Sequence, residues 1–283
     1  MQDYAVRAIT QDGSFRVIAI RTTDTVRKIT EVQQAGEYTE ELADLVTGAV
    51  LVRQTMAPDY RVQIAIRQGA TPGGTTLMGD SHPGGMTRGL CTPVAERPLD
   101  LSSGEAVLQV TRVLYTNELN QGIVALGEES TMSNALTEYM HTSEQITSII
   151  EIASVIEDGE VVSCAGFIIQ MLPEVHDEPI ARFLYHFEQR DALRDILVDR
   201  GANPEKMLAS LLSDFEHQVF EPEPISFGCN CSEARVVGAL ATMGREEIQS
   251  IIDSGEVLDI DCDYCKTEYN IGAEQLRPLL DTN

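Results

Sequence analysis

The sequence predicts an α+β fold in three parts: an N-terminal domain with a mainly antiparallel sheet and helices, a helical linker, and a small C-terminal domain with clustered cysteines. Three observations predict it. Strand patterns arrive in clusters instead of alternating regularly with helices. A helical pattern follows Pro173, and four of the six cysteines lie between residues 229 and 265. We place the three parts at residues 1–177, 178–225 and 226–283.

The N-terminal domain begins with a predicted hairpin. The segments YAVRAI and FRVIAIR flank QDGS, where Asp12-Gly13 supplies the turn. A helix is predicted over residues 39–56, because apolar residues recur there at the spacing of one helical face. They are Leu42, Leu45, Val46, Ala49 and Val50. In YRVQIAIRQ, residues 60–68, apolar and polar side chains alternate, as in a half-buried strand.

Further strands and one helix are predicted before residue 173. The strands are AVLQVTRVLY at 106–115, QITSIIEIASV at 145–155 and VVSCAGFIIQML at 161–172. The helix is expected near residues 133–141. Cys164 lies in an apolar strand and is expected to be a buried small hydrophobic residue. Cys91 lies in a stretch without a strand or helix pattern, and we expect it to be exposed.

The linker is predicted to be helical. From Glu178 an apolar stripe recurs at helical spacing, and Gly201 is a suitable C-terminal stop. The stripe consists of Ile180, Phe183, Leu184, Phe187, Leu193, Ile196 and Leu197. Asn203-Pro204 then starts a second helix that runs to about His217, and EPEP at 221–224 ends it. This segment is both apolar and highly charged, so we expect marginal stability; the alternative is a permanently packed helical hairpin.

Composition limits the classes of partner. The 20 basic and 45 acidic residues give a net charge of −25, which repels phosphate backbones and anionic membranes, although it also simply favours solubility. The N-terminus lacks the basic start and apolar run of a secretory signal, and no window approaches a membrane span. We therefore expect a cytoplasmic protein that binds neither nucleic acid nor membranes. In a reducing compartment, clustered cysteines are more often metal ligands or redox switches than structural disulfides.

The four clustered cysteines form two close pairs. Cys229 and Cys231 are one residue apart, and Cys262 and Cys265 are separated by two. Two such pairs are able to supply the four sulfur ligands of one tetrahedral zinc ion per chain. The domain is small, so zinc binding and folding are expected to be one event.

A redox switch and a plain structural zinc ribbon are both compatible with this spacing. Two features favour a switch. A disulfide across Cys-x-Cys closes a small, strained ring that is easily reduced. Residues 229–283 also carry 11 acidic and 4 basic side chains, a net charge of −7, so the thiolates depend on the metal for charge compensation.

The sequence fits two other classes of function, an enzyme and a nucleic-acid-binding zinc ribbon, less well. CDYC invites comparison with thioredoxin-type enzymes, but the βαβ context is absent and Asp261 and Asp263 would raise the thiol pKa rather than lower it. No phosphate-binding glycine motif and no H-E-x-x-H motif occurs, so we expect no enzyme activity. A nucleic-acid-binding zinc ribbon would need basic residues, and DIDCDYCKTEYN has only Lys266. The alternative that stays open is a constitutive zinc ribbon that binds nucleic acid or protein without redox switching.

The cysteine-bearing segments resemble a known family. CNCSEARVVGALATMGREEIQSII at 229–252 and CDYCKTEYNI at 262–271 are similar to the C-terminal domain of the redox-regulated thirty-three-kilodalton chaperonin family of bacterial heat-shock proteins. DYAVRAITQDGSFRVIAIRTTD at 3–24 resembles its opening hairpin, TSEQ at 142–145 its internal motif, and AGFIIQMLP at 165–173 its last N-domain strand. Residues 70–91 follow the family only loosely, and Cys91 and Cys164 lie outside its four-cysteine motif.

The resemblance implies a function and a mechanism. Members are ATP-independent holdase chaperones that bind unfolding proteins and prevent their aggregation under oxidative and heat stress. The reduced, zinc-bound form is inactive. Oxidation to the disulfides Cys229–Cys231 and Cys262–Cys265 releases zinc and unfolds the C-terminal domain and linker, and the active form is a homodimer. Phe183, Leu184 and Phe187 of the linker are then candidates for the cover over the client-binding surface.

Overall fold

The computed structural model describes residues 2–68, 73–96, 98–114, 118–127, 130–173 and 175–281. The chain divides into two compact units, Met1–Phe227 and Gly228–Asn283. The linker predicted at 178–225 therefore clusters with the N-terminal unit, while the division into three functional parts stays a prediction.

The N-terminal unit combines a large sheet with helices. Its strands up to residue 171 are β1 (Asp3–Thr10), β2 (Phe15–Arg21), β3 (Arg61–Gln68), β4 (Thr76–Ser81), β5 (Met86–Thr92), β6 (Ala106–Val113), β7 (Leu119–Ala125), β8 (Ser148–Glu157) and β9 (Glu160–Met171). The helices among them are α1 (Thr23–Gln33), α2 (Thr39–Gln54) and α3 (Met132–Thr142). The predicted α+β class is thus confirmed, and the strand predicted over 106–115 ends at Val113, with Tyr115 outside the described residues.

The linker segment contributes helices and also strands. It contains α4 (Asp177–Phe187), α5 (Leu193–Arg200), α6 (Pro204–Leu211), β10 (His217–Val219) and β11 (Glu223–Phe227). The single helix expected from Glu178 to Gly201 is two helices, because the Glu151 carboxylate of β8 holds the start of α5. The helix expected to reach His217 ends at Leu211, and the segment after it pairs with β1 instead.

Strand β11 lies near the centre of the sheet. The strand order is β7-β6-β3-β4-β5-β11-β1-β2-β9-β8, and β10 also pairs with β1. All pairs in this sheet are antiparallel, as expected, except the parallel pair of β11 with β5. A strand from the linker therefore joins the two halves of the sheet.

The core lies on both faces of the sheet. On one face α1, α2 and α3 cover a large apolar cluster that includes Ile18 and Ile20 of β2. On the opposite face the linker helices cover the alternate residues Val17 and Ala19. Helix α2 crosses β4 so closely that a Cβ atom on Gly79 would lie 2.9 Å from Val46 Cα. The sheet is thus buried on both faces around β1, β2 and β9.

The two cysteines outside the motif are both buried. Cys164 is fully buried in β9, as predicted. The expectation that Cys91 is exposed is wrong, because it lies in β5 opposite Leu77 of β4 and is 8% exposed. Its backbone N–H donates to Gln33 Oε1 at 3.2 Å. Burial raises the pKa of the Cys91 thiol, with a further contribution from Glu41, so this thiol is poorly suited to oxidation.

The C-terminal unit is small. Its elements are α7 (Glu233–Leu240), α8 (Arg245–Ser254), β12 (Leu258–Asp261), β13 (Glu268–Ile271) and α9 (Ala273–Asp281). Among the residues described in this unit, Ile248, Ile271 and Leu276 are the only fully buried apolar ones. So small a core gives limited stability by itself. Across the described parts of the chain, no helix is both long and apolar enough to cross a membrane.

Candidate metal centre and linker contact

The four motif cysteines meet at one point of the C-terminal unit. Their sulfur atoms all lie within 4.8 Å of one another. Cys229 Sγ is 3.7 Å from Cys262 Sγ, and Cys231 Sγ is 3.3 Å from Cys265 Sγ. Tetrahedral zinc bound by four sulfurs at about 2.3 Å would separate them by about 3.8 Å. The geometry therefore fits a tetrahedral metal ion with four sulfur ligands.

A tight turn positions Cys262 and Cys265. Strands β12 and β13 pair in an antiparallel hairpin whose last pair is Asp261 and Glu268. Within the turn, Lys266 N–H donates to Cys262 O at 2.8 Å, and Cys262 N–H donates to Thr267 O at 3.0 Å. Lys266 has a φ of +56°, the left-handed conformation that lets the chain close so tightly. The sequence C-D-Y-C-K-T thus folds into a loop that places the sulfur atoms of Cys262 and Cys265 on the same side of the hairpin.

The other pair lies just before α7. Ser232 caps this helix, and its hydroxyl accepts a hydrogen bond from Arg235 N–H at 3.3 Å. Serine is a favoured N-cap residue, because its short side chain reaches a free N–H group of the first turn. The cap fixes the chain direction directly after Cys231, so both sulfurs of the first pair reach those of the second.

Two further side chains contact the sulfurs. Tyr269 Oη donates to Cys231 Sγ at 3.1 Å, and the Thr267 hydroxyl lies 3.2 Å from Cys265 Sγ. Neither Thr267 nor Tyr269 had a predicted role. The spacing of Thr267 and Tyr269 would have indicated that their side chains lie on the same side, because residues two apart in an extended segment face the same way. Such neighbours orient metal ligands and strengthen their binding.

The pKa values of Cys231 and Cys265 are shifted in opposite directions. The hydrogen bond from Tyr269 lowers the pKa of Cys231, but burial and the neighbouring cysteines outweigh it and raise that pKa to about 12. Burial raises the pKa of Cys265, but hydrogen bonds from Thr267 lower it to about 7. Four thiolates this close repel one another, and a bound dication removes that repulsion. The donor set therefore fits a divalent metal.

All four cysteines are partly exposed. A metal site of this kind is held by short loops at the edge of a small core, not enclosed within it. Small oxidants in solvent are therefore able to reach the sulfurs, in contrast to the buried thiols of Cys91 and Cys164.

The linker contacts the N-terminal sheet through phenylalanine side chains. The Phe183 ring is 2% exposed and lies 4.9 Å from that of Phe15. The Phe187 ring lies 5.5 Å from Phe183 and 6.2 Å from Phe167. Leu184, which was expected to lie with them, is 37% exposed, because the next position along a helix faces about 100° away. The contact thus rests on Phe183 and Phe187.

Polar groups fix the start of α5 beside this contact. Glu151 of β8 pairs with the Arg190 guanidinium, and Glu151 Oε1 accepts a hydrogen bond from Leu193 N–H at 2.8 Å. The same guanidinium lies 4.1 Å from the centre of the Phe187 ring. Arg194 of α5 pairs with Glu40 of α2 at 2.7 Å. Charged and aromatic contacts together hold the linker on the sheet.

The chain is similar to a family of known proteins over nearly its whole length. The family model described as "Hsp33 protein" matches residues 3–272. The "33 kDa chaperonin" of Geobacillus kaustophilus is 31% identical over 99% of this chain and 98% of its own length. The "33 kDa chaperonin" of Agathobacter rectalis is 28% identical over 99% of this chain and 100% of its own length.

A solved structure agrees with the fold. The crystal structure of the 33 kDa chaperonin from Thermotoga maritima superposes with a TM-score of 0.81, covering 99% of this chain and 98% of its own. The two sequences are 21% identical, so this similarity supports the fold alone.

Proposed function

The chain belongs to the Hsp33 family, which is a family of chaperones and not of enzymes, and from this premise we propose that its chaperone activity is switched on by oxidation of the four clustered cysteines. The observation that carries the proposal is the position of the four sulfurs within 4.8 Å of one another. Partly exposed sulfurs so close together are able both to bind a metal and to form disulfides.

In the reduced state, Cys229, Cys231, Cys262 and Cys265 would hold one zinc ion. Zinc would compensate the charge of the four thiolates and tie the turn at 262–265 to the segment before α7. Tyr269 would support this state by donating its hydrogen bond to Cys231 Sγ. Because three apolar residues make up the fully buried core described in this unit, the metal site is its main stabilising element.

Oxidation would remove the metal ligands. For each disulfide, two thiolates lose two electrons and one molecule of hydrogen peroxide gains them, taking up two protons to give two water molecules. The family resemblance implies the pairs Cys229–Cys231 and Cys262–Cys265. In the structure Cys229 Sγ also lies 3.7 Å from Cys262 Sγ and Cys231 Sγ lies 3.3 Å from Cys265 Sγ, as expected for four ligands around one ion. Sulfurs bonded to each other no longer serve as thiolate ligands, so the unit unfolds.

Unfolding would then extend to the linker. One residue separates Phe227 of β11 from Cys229, so loss of order in the C-terminal unit frees the end of this strand. Release of the linker would expose the apolar residues beneath it, among them Phe15 and Phe167. This surface is suited to unfolding client proteins, which expose apolar side chains of their own.

The protein would act in the cytoplasm, and its active form would be a homodimer. The thiols require a reducing compartment to stay metal-bound, which supports a cytoplasmic location. The resemblance implies a homodimer in the active form. The net charge of −25 is unfavourable for binding to nucleic acids or anionic membranes, and unfolded proteins are the expected partners.

The test measures zinc and chaperone activity in the same samples. Zinc content and suppression of aggregation of a heat-unfolding test protein are recorded before and after hydrogen peroxide treatment at mildly raised temperature. Zinc release together with new activity, both reversed by a reductant, is the expected result. Peptide mapping of the oxidised protein identifies the disulfide pairs. Zinc that stays bound while activity is constant would instead support a constitutive zinc ribbon.

A further inference from the structure

One edge of β1 is covered along its length by residues of the linker. At one end β10 pairs with β1, and Thr10 lies opposite His217 and Ala8 opposite Val219. At the other end β11 pairs with the same strand, and Asp3 lies opposite Ile225. The covering segment, residues 216–227, ends two positions before Cys229.

Backbone hydrogen bonds hold the covering segment on this edge. Gln11 N–H donates to Glu216 O at 2.8 Å, and Phe220 N–H donates to Arg7 O at 2.9 Å. Because backbone groups of alternate residues point to opposite edges of a strand, residues 7 and 9 of β1 direct their N–H and C=O groups toward the covering segment, as does Gln11 just after the strand. Gln218 and Phe220 direct theirs toward β1, and His217 and Val219 direct theirs away.

The end of the covering segment also occupies an edge of β5. Ser226 lies opposite Met86 and Phe227 opposite Thr87 in a parallel pair. The backbone passes so close to Gly85 that a Cβ atom there would lie 1.9 Å from Pro224 O. Residues 223–227 therefore fill a slot between β1 and β5, and their departure would leave two unpaired edges facing each other.

We propose that this slot, once residues 216–227 have left it, binds an extended segment of an unfolding protein as an added strand. The inference rests on the proposed function, in which oxidation releases the linker. Unpaired strand edges bind extended chains readily, because main-chain groups on both sides find hydrogen-bond partners. The slot would add a main-chain binding mode to the apolar surface beneath the linker helices.

The covering segment shows what kind of chain the slot accepts. Of its apolar side chains, Ile225 is 2% exposed and inserts into the core, Phe227 is partly buried against the same core, and Val219 and Phe220 are exposed. Recognition therefore uses the backbone and two apolar side chains at one end of the segment, and it places few demands on the rest of the sequence. An unfolding chain of almost any composition meets these demands, so it is the occupant we assign.

The test uses a peptide with the sequence of residues 215–227, FEHQVFEPEPISF, carrying a fluorescent label. Binding to the full-length protein, reduced or oxidised, is followed by fluorescence anisotropy. One variant peptide is N-methylated at Gln218 and Phe220, which removes the N–H groups that face β1. The matched control is N-methylated at His217 and Val219, whose N–H groups face away. Reduced and carboxymethylated lysozyme, a stably unfolded chain, serves as the competitor.

The expected result has three parts. The oxidised protein binds the unmodified and control peptides, and the reduced protein, whose edge is covered, binds at least 10-fold more weakly. Methylation at Gln218 and Phe220 weakens binding at least 10-fold. The unfolded lysozyme displaces the bound peptide.

Aggregation suppression, measured on the same oxidised samples, separates the two proposals. If the oxidised protein suppresses aggregation but both methylated peptides bind equally, the strand-addition site is overturned and the proposed function stands. Failure of the unfolded lysozyme to displace the peptide, with a change in oligomeric state on peptide binding, would assign the slot to a second copy of this chain and also overturn the inference. Absence of any aggregation suppression after oxidation would overturn both proposals.

Discussion

Glu151 of β8 caps the first turn of α5, because its Oε1 atom accepts a hydrogen bond from Leu193 N–H at 2.8 Å. The other carboxylate oxygen pairs with Arg190. A strand of the N-terminal sheet thus supplies an acceptor at a helix terminus whose N-cap residue, Ala192, makes no side-chain cap bond. Linker helicity in this region therefore depends on docking to the sheet.

Replacing Glu151 should loosen α5. We expect Glu151→Ala to lower the free energy of linker opening by about 2 kcal/mol, since a hydrogen bond and an ion pair to a charged group are both lost. Hydrogen exchange of the amides of residues 193–200 measures the effect. Glu151→Gln, which keeps an acceptor for Leu193 N–H, should have a smaller effect, and Glu157→Ala at the exposed end of β8 should have none. Equal exchange in Glu151→Ala and wild type would contradict the capping role.

Disrupting the phenylalanine contact should raise activity in the reduced state. Phe183→Asp combined with Phe187→Asp places two charges among buried aromatic rings, which is strongly destabilising. We expect the reduced variant to suppress aggregation of a heat-unfolding protein several-fold better than the reduced wild type. The matched control is Leu184→Asp with Tyr185→Asp on the exposed side of the same helix, where Tyr185 is 63% exposed. Equal reduced-state activity in the two double variants would count against a covering role.

Removing one sulfur ligand should weaken zinc binding and destabilise the C-terminal unit. Cys262→Ser is expected to weaken zinc binding by at least 10-fold and to make residues 228–283 sensitive to protease, because folding of so small a core depends on the metal site. Zinc content and limited proteolysis under reducing conditions are the measurements. Cys91→Ala, at a buried thiol outside the cluster, should retain full zinc content. A normal zinc content in Cys262→Ser would exclude the four-sulfur site.

The hydroxyl of Tyr269 should increase the zinc affinity of the site. Its hydrogen bond to Cys231 Sγ stabilises the thiolate that a metal requires. We expect Tyr269→Phe to weaken zinc binding about 10-fold, as is typical when a partner of a metal ligand is removed, and to speed zinc release by peroxide. Competition with a colorimetric zinc chelator measures both the zinc affinity and the rate of zinc release. An unchanged affinity would show that the hydroxyl is not needed.

The pKa of Asp44 predicts a pH dependence of stability. Burial raises this pKa to about 7, with Glu40 adding to the effect, while the Ser154 hydroxyl and Arg194 oppose it. Because the folded protein holds this proton more tightly than the unfolded chain, the contribution of Asp44 to stability is fully present below pH 3.8 and is lost as the pH rises to about 7.

The substitution Asp44→Asn should remove this loss of stability at high pH. The variant is expected to be more stable than the wild type at pH 8 by about 2 kcal/mol, and the difference should shrink toward pH 4. Thermal unfolding of the N-terminal unit across pH 4–8 measures it. A difference that is constant with pH would show that Asp44 does not titrate in this range.

The sequence predicted the local features well. Periodicity identified the opening hairpin, α2 and most strands of the N-terminal sheet, because these patterns follow from which face of each element is buried. The spacing of Cys229, Cys231, Cys262 and Cys265 identified a candidate metal site, since paired cysteines in close loops have few other uses in a reducing compartment. Predictions failed where distant residues decide local structure, as for Cys91 and for residues 212–217.

Residue type and short-range spacing were enough to predict the α+β class, the four clustered cysteines of the candidate metal site and the apolar stripe of the linker. Tertiary structure alone decided that Phe183 and Phe187, and not Leu184, contact the sheet, that Glu151 divides the linker into two helices, and that its last residues join β1 to β5. These outcomes depend on which surfaces meet and which backbone groups lack partners once the sheet has formed. Contacts between residues far apart in the chain leave no pattern in either segment alone.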